Sequence, residues 1–225
     1  MKNLYVPKHV AIIPDGNRRW AKSKNLPTFE GHRKGFEALV KVARESRKLD
    51  IKVMTVWGFS TENWKRTPEE VSYLMDIYNE MIDRYLDEAM KDEIRIIHLG
   101  RKDRLNKNLV GKIADAENKT GDFDKHYLCI GLDYGGRDEI VRAVRKGKIE
   151  KESDIDRALD TSVLPYPNPD LIIRTGGEKR LSGYLLWQSE YSELMFVDKY
   201  LPDFTPGDFN NCIMQYGERN RRYGK

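Results

Sequence analysis

The chain has 225 residues, with 40 Lys and Arg against 36 Asp and Glu, a formal net charge of +4 and a mean hydropathy of −0.71. So even a charge balance excludes a general polyanion binder, and any anion specificity must be local. A 39% hydrophobic and 10% aromatic content excludes a disordered chain.

The length predicts one domain, 1–225, with a sizeable core. Cys129 and Cys212 lie far apart without metal-ligand spacing and read as buried, reduced thiols. No apolar run approaches the roughly 18 residues of a spanning helix, and no secretory h-region follows Met1. These features predict a cytoplasmic protein whose contact with a membrane is at most peripheral.

In chain order, the first element is the apolar run 10–13, which ends in Pro14-Asp15-Gly16-Asn17-Arg18-Arg19. Here Asp15 either forms an Asx turn with Gly16 or carries Mg²⁺ against a diphosphate, since Mg²⁺ takes one or two carboxylates and fills its shell with substrate oxygens and water. The neighbouring Arg18 and Arg19 favour the second reading, because guanidinium forks beside a metal neutralise a phosphate ligand. A helix over 31–48 follows, with His32 near its start as a phosphate donor, a proton donor or a plain surface donor.

The run 52–59 reads as the second strand. It leads into the 59–66 stretch "FSTENWKR", whose aromatic, hydroxyl, carboxylate, amide and guanidinium groups are unusual for a plain connection. Thr67, Pro68 and Glu70 predict a capping box opening a helix over 68–91. Its apolar residues Val71, Leu74, Met75, Tyr78, Met81, Ile82, Tyr85 and Leu86 recur at three- and four-residue steps. That stripe packs on a sheet, and a wall of this kind also suits a hydrocarbon ligand.

Strands over 94–99, 127–134, 170–174 and 193–197 alternate with helices over 103–118, 138–146 and 205–222, the last opened by Thr205 and Pro206. Continuous apolar strands alternating with helices predict an α/β fold with a central, mostly parallel, six-stranded sheet flanked by helices. The strand ends deliver "DGNRR", "GFSTENWKR", "YGGR" and "RTGGEKR", and ligands of open α/β sheets bind outside the carboxyl ends of strands. In "RTGGEKRLS", Arg174, Arg180 and Ser182 surround two glycines, either as a Gly-rich turn or as a second anion cradle; the spacing is not that of a Walker loop. The basic C-terminal stretch lacks the aromatic and one-signed surface of a nucleic-acid binder, so no nucleic acid is expected.

The ordered motifs "DGNRRWA", "GHRKG", "GFSTENWKR", "YGGR", "RTGGEKRLSGYLLWQSEYSEL" and "RRYG" resemble those of the cis-prenyltransferases, the undecaprenyl diphosphate synthase-like family, from about residue 9 to the C-terminus. The resemblance implies a homodimer that uses Mg²⁺ to condense isopentenyl diphosphate onto an allylic prenyl diphosphate, with an apolar tunnel for the growing chain. It implies that Asp15 is the metal ligand and ionisation residue. Gly16, Asn17, Arg18, Arg19 and His32, with Trp20 beside them, would cradle the primer diphosphate. Asn63 would assist proton removal, with Ser60, Thr61, Glu62, Trp64 and Arg66 around it. Arg174, Arg180, Leu181 and Ser182 would hold the isopentenyl diphosphate, Glu193 would be a second metal ligand, and Arg222 and Gly224 would reach a neighbouring subunit.

Thr28, Asp133, Lys179 and Gly183 depart from the residues usual in the family, but none of them is Asp15. The stretch 71–94 lacks the insertion of very-long-chain members, which implies a medium-length product. A non-catalytic partner subunit of the same fold is the competing reading. It conflicts with the presence of Asp15, Arg19, Asn63 and Arg180.

Overall fold

The computed structural model describes residues 5–218, so Arg222 and Gly224 lie outside the described residues. Six strands form one sheet in the order β3-β4-β2-β1-β5-β6, every neighbouring pair parallel: β1 His9–Ile13, β2 Val53–Ser60, β3 Ile94–Leu99, β4 His126–Tyr134, β5 Leu171–Arg174 and β6 Glu193–Phe196. The helices are α1 Asn17–Ser23, α2 Thr28–Lys48, α3 Pro68–Lys91, α4 Lys107–Lys119, α5 Gly136–Arg145, α6 Glu152–Ala158 and α7 Pro206–Glu218. Among the described residues no helix is long and apolar enough to cross a membrane.

The sheet is parallel because its central strands are apolar on both faces. All of β1 is buried: Val10 and Ile12 pack with α2 and α7 through Val42, Phe209 and Ile213, while Ala11 and Ile13 face Ile172, Tyr184 and Leu185. A third cluster, Phe59, Leu74, Met75, Tyr78, Leu109 and Ile113, binds α3 and α4 to the sheet edge. Fully burying each such side chain contributes roughly 1.5–3 kcal/mol.

Two capping expectations fare differently. Thr67 Oγ1 accepts from the Glu70 amide at 3.3 Å, as expected, but the Glu70 carboxylate does not close the box and instead reaches His32 and Arg66. The Thr205-Pro206 start is a complete reciprocal cap with Asp208. The helix expected from 103 starts at Lys107, because Asn106 Oδ1 accepts from the Leu109 amide at 2.8 Å and so caps it.

His9, at the start of β1, is fully buried, with Nδ1 2.8 Å from the Tyr166 carbonyl and Nε2 2.7 Å from Thr55 Oγ1. A neutral ring satisfies both contacts by donating from Nδ1 and accepting at Nε2. Burial drives its pKa down to about 4, from an ordinary value near 6.5. The unfolded chain therefore binds the proton that the folded chain refuses, so stability is complete above about pH 6.5 and is lost as pH falls toward 4. At pH 4.5 the cost from His9 is expected to be about 2–3 kcal/mol. Urea titrations at pH 7 and 4.5 measure it, and the drop should shrink by that amount in His9→Asn.

Candidate active site

The carboxyl ends of β1, β2 and β5 open onto one pocket of about 320 Å³ that is lined, among others, by Asp15, Asn17, His32, Ser60, Glu62, Asn63, Arg66, Arg174 and Ser182. A second concavity adjoins it, lined by Asp15, Gly16, Arg18, Arg19, Lys22, Thr28, His32 and Arg66. Asp15, Asn17, His32 and Arg66 belong to both.

Asp15 is fixed by its backbone. Thr175 Oγ1, just beyond β5, accepts from the Asp15 amide at 2.9 Å and donates to the Asp15 carbonyl at 2.8 Å. Gly16 then turns the chain with φ +100°, and a Cβ there would stand 2.5 Å from Tyr200 Cδ1, so only glycine makes this turn against Tyr200. The Gly16 amide donates to Asp15 Oδ1 at 2.6 Å. Arg174 Nη2 donates to Asp15 Oδ2 at 2.8 Å and Arg19 Nη2 to Oδ1 at 3.1 Å. Partial burial opposes ionisation of Asp15, but the bonds and charges of Arg174 and Arg19 outweigh it and hold the carboxyl below the usual carboxylate range.

Arg174 ends β5 and is 5% exposed, which makes it the buried cation of the site. Its Nη1 donates to Ser182 Oγ at 2.9 Å and to the Arg180 carbonyl, and its Nε has no acceptor among the described residues. The 174–182 segment thus folds over one guanidinium. Arg19 bridges Asp15 and Glu178 and lies over the Tyr200 ring, 5.3 Å from its centroid.

His32 lies on the first turns of α2 and is buried, with Nε2 3.1 Å from Glu70 Oε1. Burial lowers its pKa, and Glu70 only partly offsets that. The same Glu70 oxygen accepts from Arg66 Nη1 at 3.0 Å and lies 3.9 Å from Arg18 Nε. Asn63 Oδ1 accepts from the Ser60 amide at 3.1 Å, closing the turn Thr61–Lys65 so that Asn63, Glu62 and Arg66 line the pocket.

Not every expected residue joins them. Trp20 donates to Asp203 at 2.9 Å, and Thr61, Trp64 and Leu181 do not line the pocket. Arg180 has a largely exposed side chain paired with Glu178, while its carbonyl accepts from Arg174 Nη1. Glu193 begins β6 in register with Leu171, which is in turn level with Val10. It therefore sits about 16 Å back along the strand direction from Asp15, at the opposite end of the sheet, and the two do not meet within one chain. Residues that the motifs did not single out are Thr175, which stitches β1 to β5, and Glu70, which gathers His32, Arg66 and Arg18. Glu70 had a visible local role as a helix cap, which masked the one it performs.

Behind the pocket an apolar cavity of about 170 Å³ runs between α2, α3 and the sheet. Leu39, Val40, Ala43, Met81, Ile82, Tyr85, Ile96 and Leu128 are among its walls. Phe36, Leu39, Gly58 and Tyr78 line both spaces, with Tyr78 OH donating to the Gly58 carbonyl at 2.6 Å. The α3 stripe is thus both core and cavity wall.

A family model described as "Putative undecaprenyl diphosphate synthase" matches residues 13–224. The chain is 47% identical over 230 aligned positions to an isoprenyl transferase of Thermotoga maritima, with 98% of each chain covered. It is 44% identical to the tritrans,polycis-undecaprenyl-diphosphate synthase (geranylgeranyl-diphosphate specific) of Thermococcus kodakarensis, covering 100% of this chain and 89% of the relative. The crystal structure of lavandulyl diphosphate synthase from Lavandula x intermedia in complex with dimethylallyl diphosphate superposes with a TM-score of 0.94 at 34% identity, over 98% of this chain and 99% of that one.

Proposed function

The chain belongs to the undecaprenyl diphosphate synthase-like family and is a cis-prenyltransferase; from that premise we propose that it condenses isopentenyl diphosphate onto an allylic prenyl diphosphate, with Mg²⁺, to make a medium-chain polyprenyl diphosphate. The observation that carries this reading is the adjacency of a pocket holding Asp15, Arg66 and Arg174 to an apolar cavity, the two sharing Phe36, Leu39, Gly58 and Tyr78 as lining. A charged head and a hydrocarbon tail need these two environments side by side.

The donor set suits Mg²⁺. Among the described residues no group of three or more His, Cys, Asp or Glu gathers, so no closed protein-only metal centre competes. One or two pocket carboxylates, here Asp15 with Glu62 in the same lining, beside arginines are the pattern for an ion that completes its shell with phosphate oxygens and water. Asp15 would hold it, and the bound ion would supply Lewis-acid stabilisation of a departing diphosphate.

Arg18, Arg19 and Arg66 surround the same concavity and would offset the charge that develops as the allylic C–O bond breaks. Arg174 and Ser182 would hold the second diphosphate, aligning the isopentenyl double bond with the allylic carbon. After the new C–C bond forms, a proton would leave the former isopentenyl unit for the released diphosphate, assisted by Asn63 and Ser60, which line the pocket.

The product chain would enter between α2 and α3, gaining about 0.8 kcal/mol per buried methylene-sized group. A cavity of about 150 Å³ is enough for benzene, so the 170 Å³ present takes little more than one isoprene unit and the two helices must part as the chain grows. A homodimer would give cover to apolar side chains such as Val141 and Val144 on α5, each 49% exposed.

The test is incubation of the purified protein with Mg²⁺, labelled isopentenyl diphosphate and farnesyl or geranylgeranyl diphosphate. Butanol-extractable label, in products of no more than about fourteen isoprene units, is the expected result. No incorporation with any allylic primer would overturn the reading.

A further inference from the structure

The turn 61–65 carries Asn63 toward the pocket and Trp64 away from it, into the wedge between β4 and the segment before α4. There Trp64 Nε1 donates to Asp133 Oδ1 at 2.9 Å. Asp133 is completely buried, at the carboxyl end of β4, with a left-handed φ of +51°. Arg104 meets the same carboxylate in fork fashion, through Nε to Oδ2 at 2.7 Å and through Nη2 to Oδ1. Its guanidinium also covers the indole, 5.5 Å from the ring, while Phe59 packs edge-on against Trp64 at 5.1 Å. The Asp133 carbonyl accepts from the Arg101 amide at 3.2 Å, so one residue ties β4, the 101–104 segment and the 61–65 turn together.

We propose that Asp133, charge-paired with Arg104, is a positioning residue for the condensation: it grips the Trp64 indole and thereby holds Asn63 and Arg66 against the pocket. This rests on the transferase reading above. A bidentate pair at a fully buried carboxylate is strong and directional. Reactant alignment is sensitive enough that a displacement of about 1 Å costs on the order of 10²-fold in rate. Trp64 offers the turn a rigid lever, because its ring is held by the Arg104 guanidinium and the Phe59 ring and its N–H by Asp133.

Asp133→Asn keeps an acceptor for the indole and leaves Arg104, whose side chain is 38% exposed, to water. It is expected to retain activity within about fivefold. Asp133→Ala removes the acceptor and should lower kcat about 10²-fold, with KM for both diphosphates within threefold. Arg104→Met strands a buried carboxylate without its countercharge. It should lower kcat about tenfold, and the double variant Asp133→Asn/Arg104→Met should recover to the Asp133→Asn level.

Amide deuterium exchange gives a readout that needs no substrate: in Asp133→Ala, exchange over 60–66 should speed at least tenfold while β1 and β5 keep their protection. Unchanged exchange over 60–66, or a double variant no better than Arg104→Met, overturns the proposal. A wild-type protein that couples no prenyl diphosphates overturns the transferase reading instead, and the exchange result still decides the role of Asp133.

Discussion

Asp15→Ala is expected to lower kcat/KM for prenyl condensation about 10³-fold, or roughly 4 kcal/mol of transition-state stabilisation, without changing the far-ultraviolet circular dichroism. Asp15 is the pocket carboxylate that the neighbouring strand pins by its own backbone, through the two-way contact with Thr175. Its loss removes the anchor for a divalent ion and also strips Arg174 of its countercharge, the 2.8 Å partner of a nearly buried guanidinium. Asp15→Asn separates these two effects. The amide still accepts from Arg174 and should preserve thermal stability better than alanine, yet it lacks the charge and should fall nearly as far in rate. Initial rates at saturating Mg²⁺, with unfolding curves for both variants, check this. An Asp15→Asn enzyme with more than a tenth of wild-type activity would show that the negative charge is dispensable.

Gly58→Leu is expected to stop elongation after one or two additions while leaving the first condensation within tenfold of wild type. A Cβ at Gly58 would stand 2.8 Å from Leu132 Cδ2 and 3.0 Å from Tyr78 OH, where pocket and cavity share their lining. The added side chain must displace these groups or project into one of the two spaces, and on the proposed function either result would narrow the way in for a hydrocarbon. Overpacking of this kind costs typically 1–3 kcal/mol, so a lower melting temperature should accompany the shorter products. Reverse-phase chromatography of dephosphorylated products measures the length. A product distribution identical to wild type would show that the chain leaves by another route.

The strands were legible because they are buried on both faces and so read as unbroken apolar runs; β3 and α3 occupy the residues expected of them. For α3 the reason is local, a Thr67 cap, Pro68 in the first helical position and one apolar stripe. The helix α1 reads as a basic, helix-prone stretch but not as a bounded helix, because "NRRWAKS" has seven residues, carries three cations and buries only Ala21. α6 has no buried residue at all, so its sequence has no apolar period to detect. At the site, Asp15 and Arg174 were visible as charged groups ending apolar strands. Thr175 and Glu70 were not, because their partners lie 160 and 38 residues away in sequence. Glu193 shows the converse limit: a motif fixes residue order but not which end of the sheet a strand's first residue occupies.

The Thr175 stitch lies one step beyond the point where Ile13 pairs with Arg174, on two strands that are buried throughout. A reactive group on a surface loop can fray while its host stays folded, but Asp15 has less such freedom, since its backbone is tied across the carboxyl ends of two central, fully buried strands. Thermal inactivation should therefore track global melting closely, because the carboxylate at the mouth of the pocket is anchored to the central strands of the sheet.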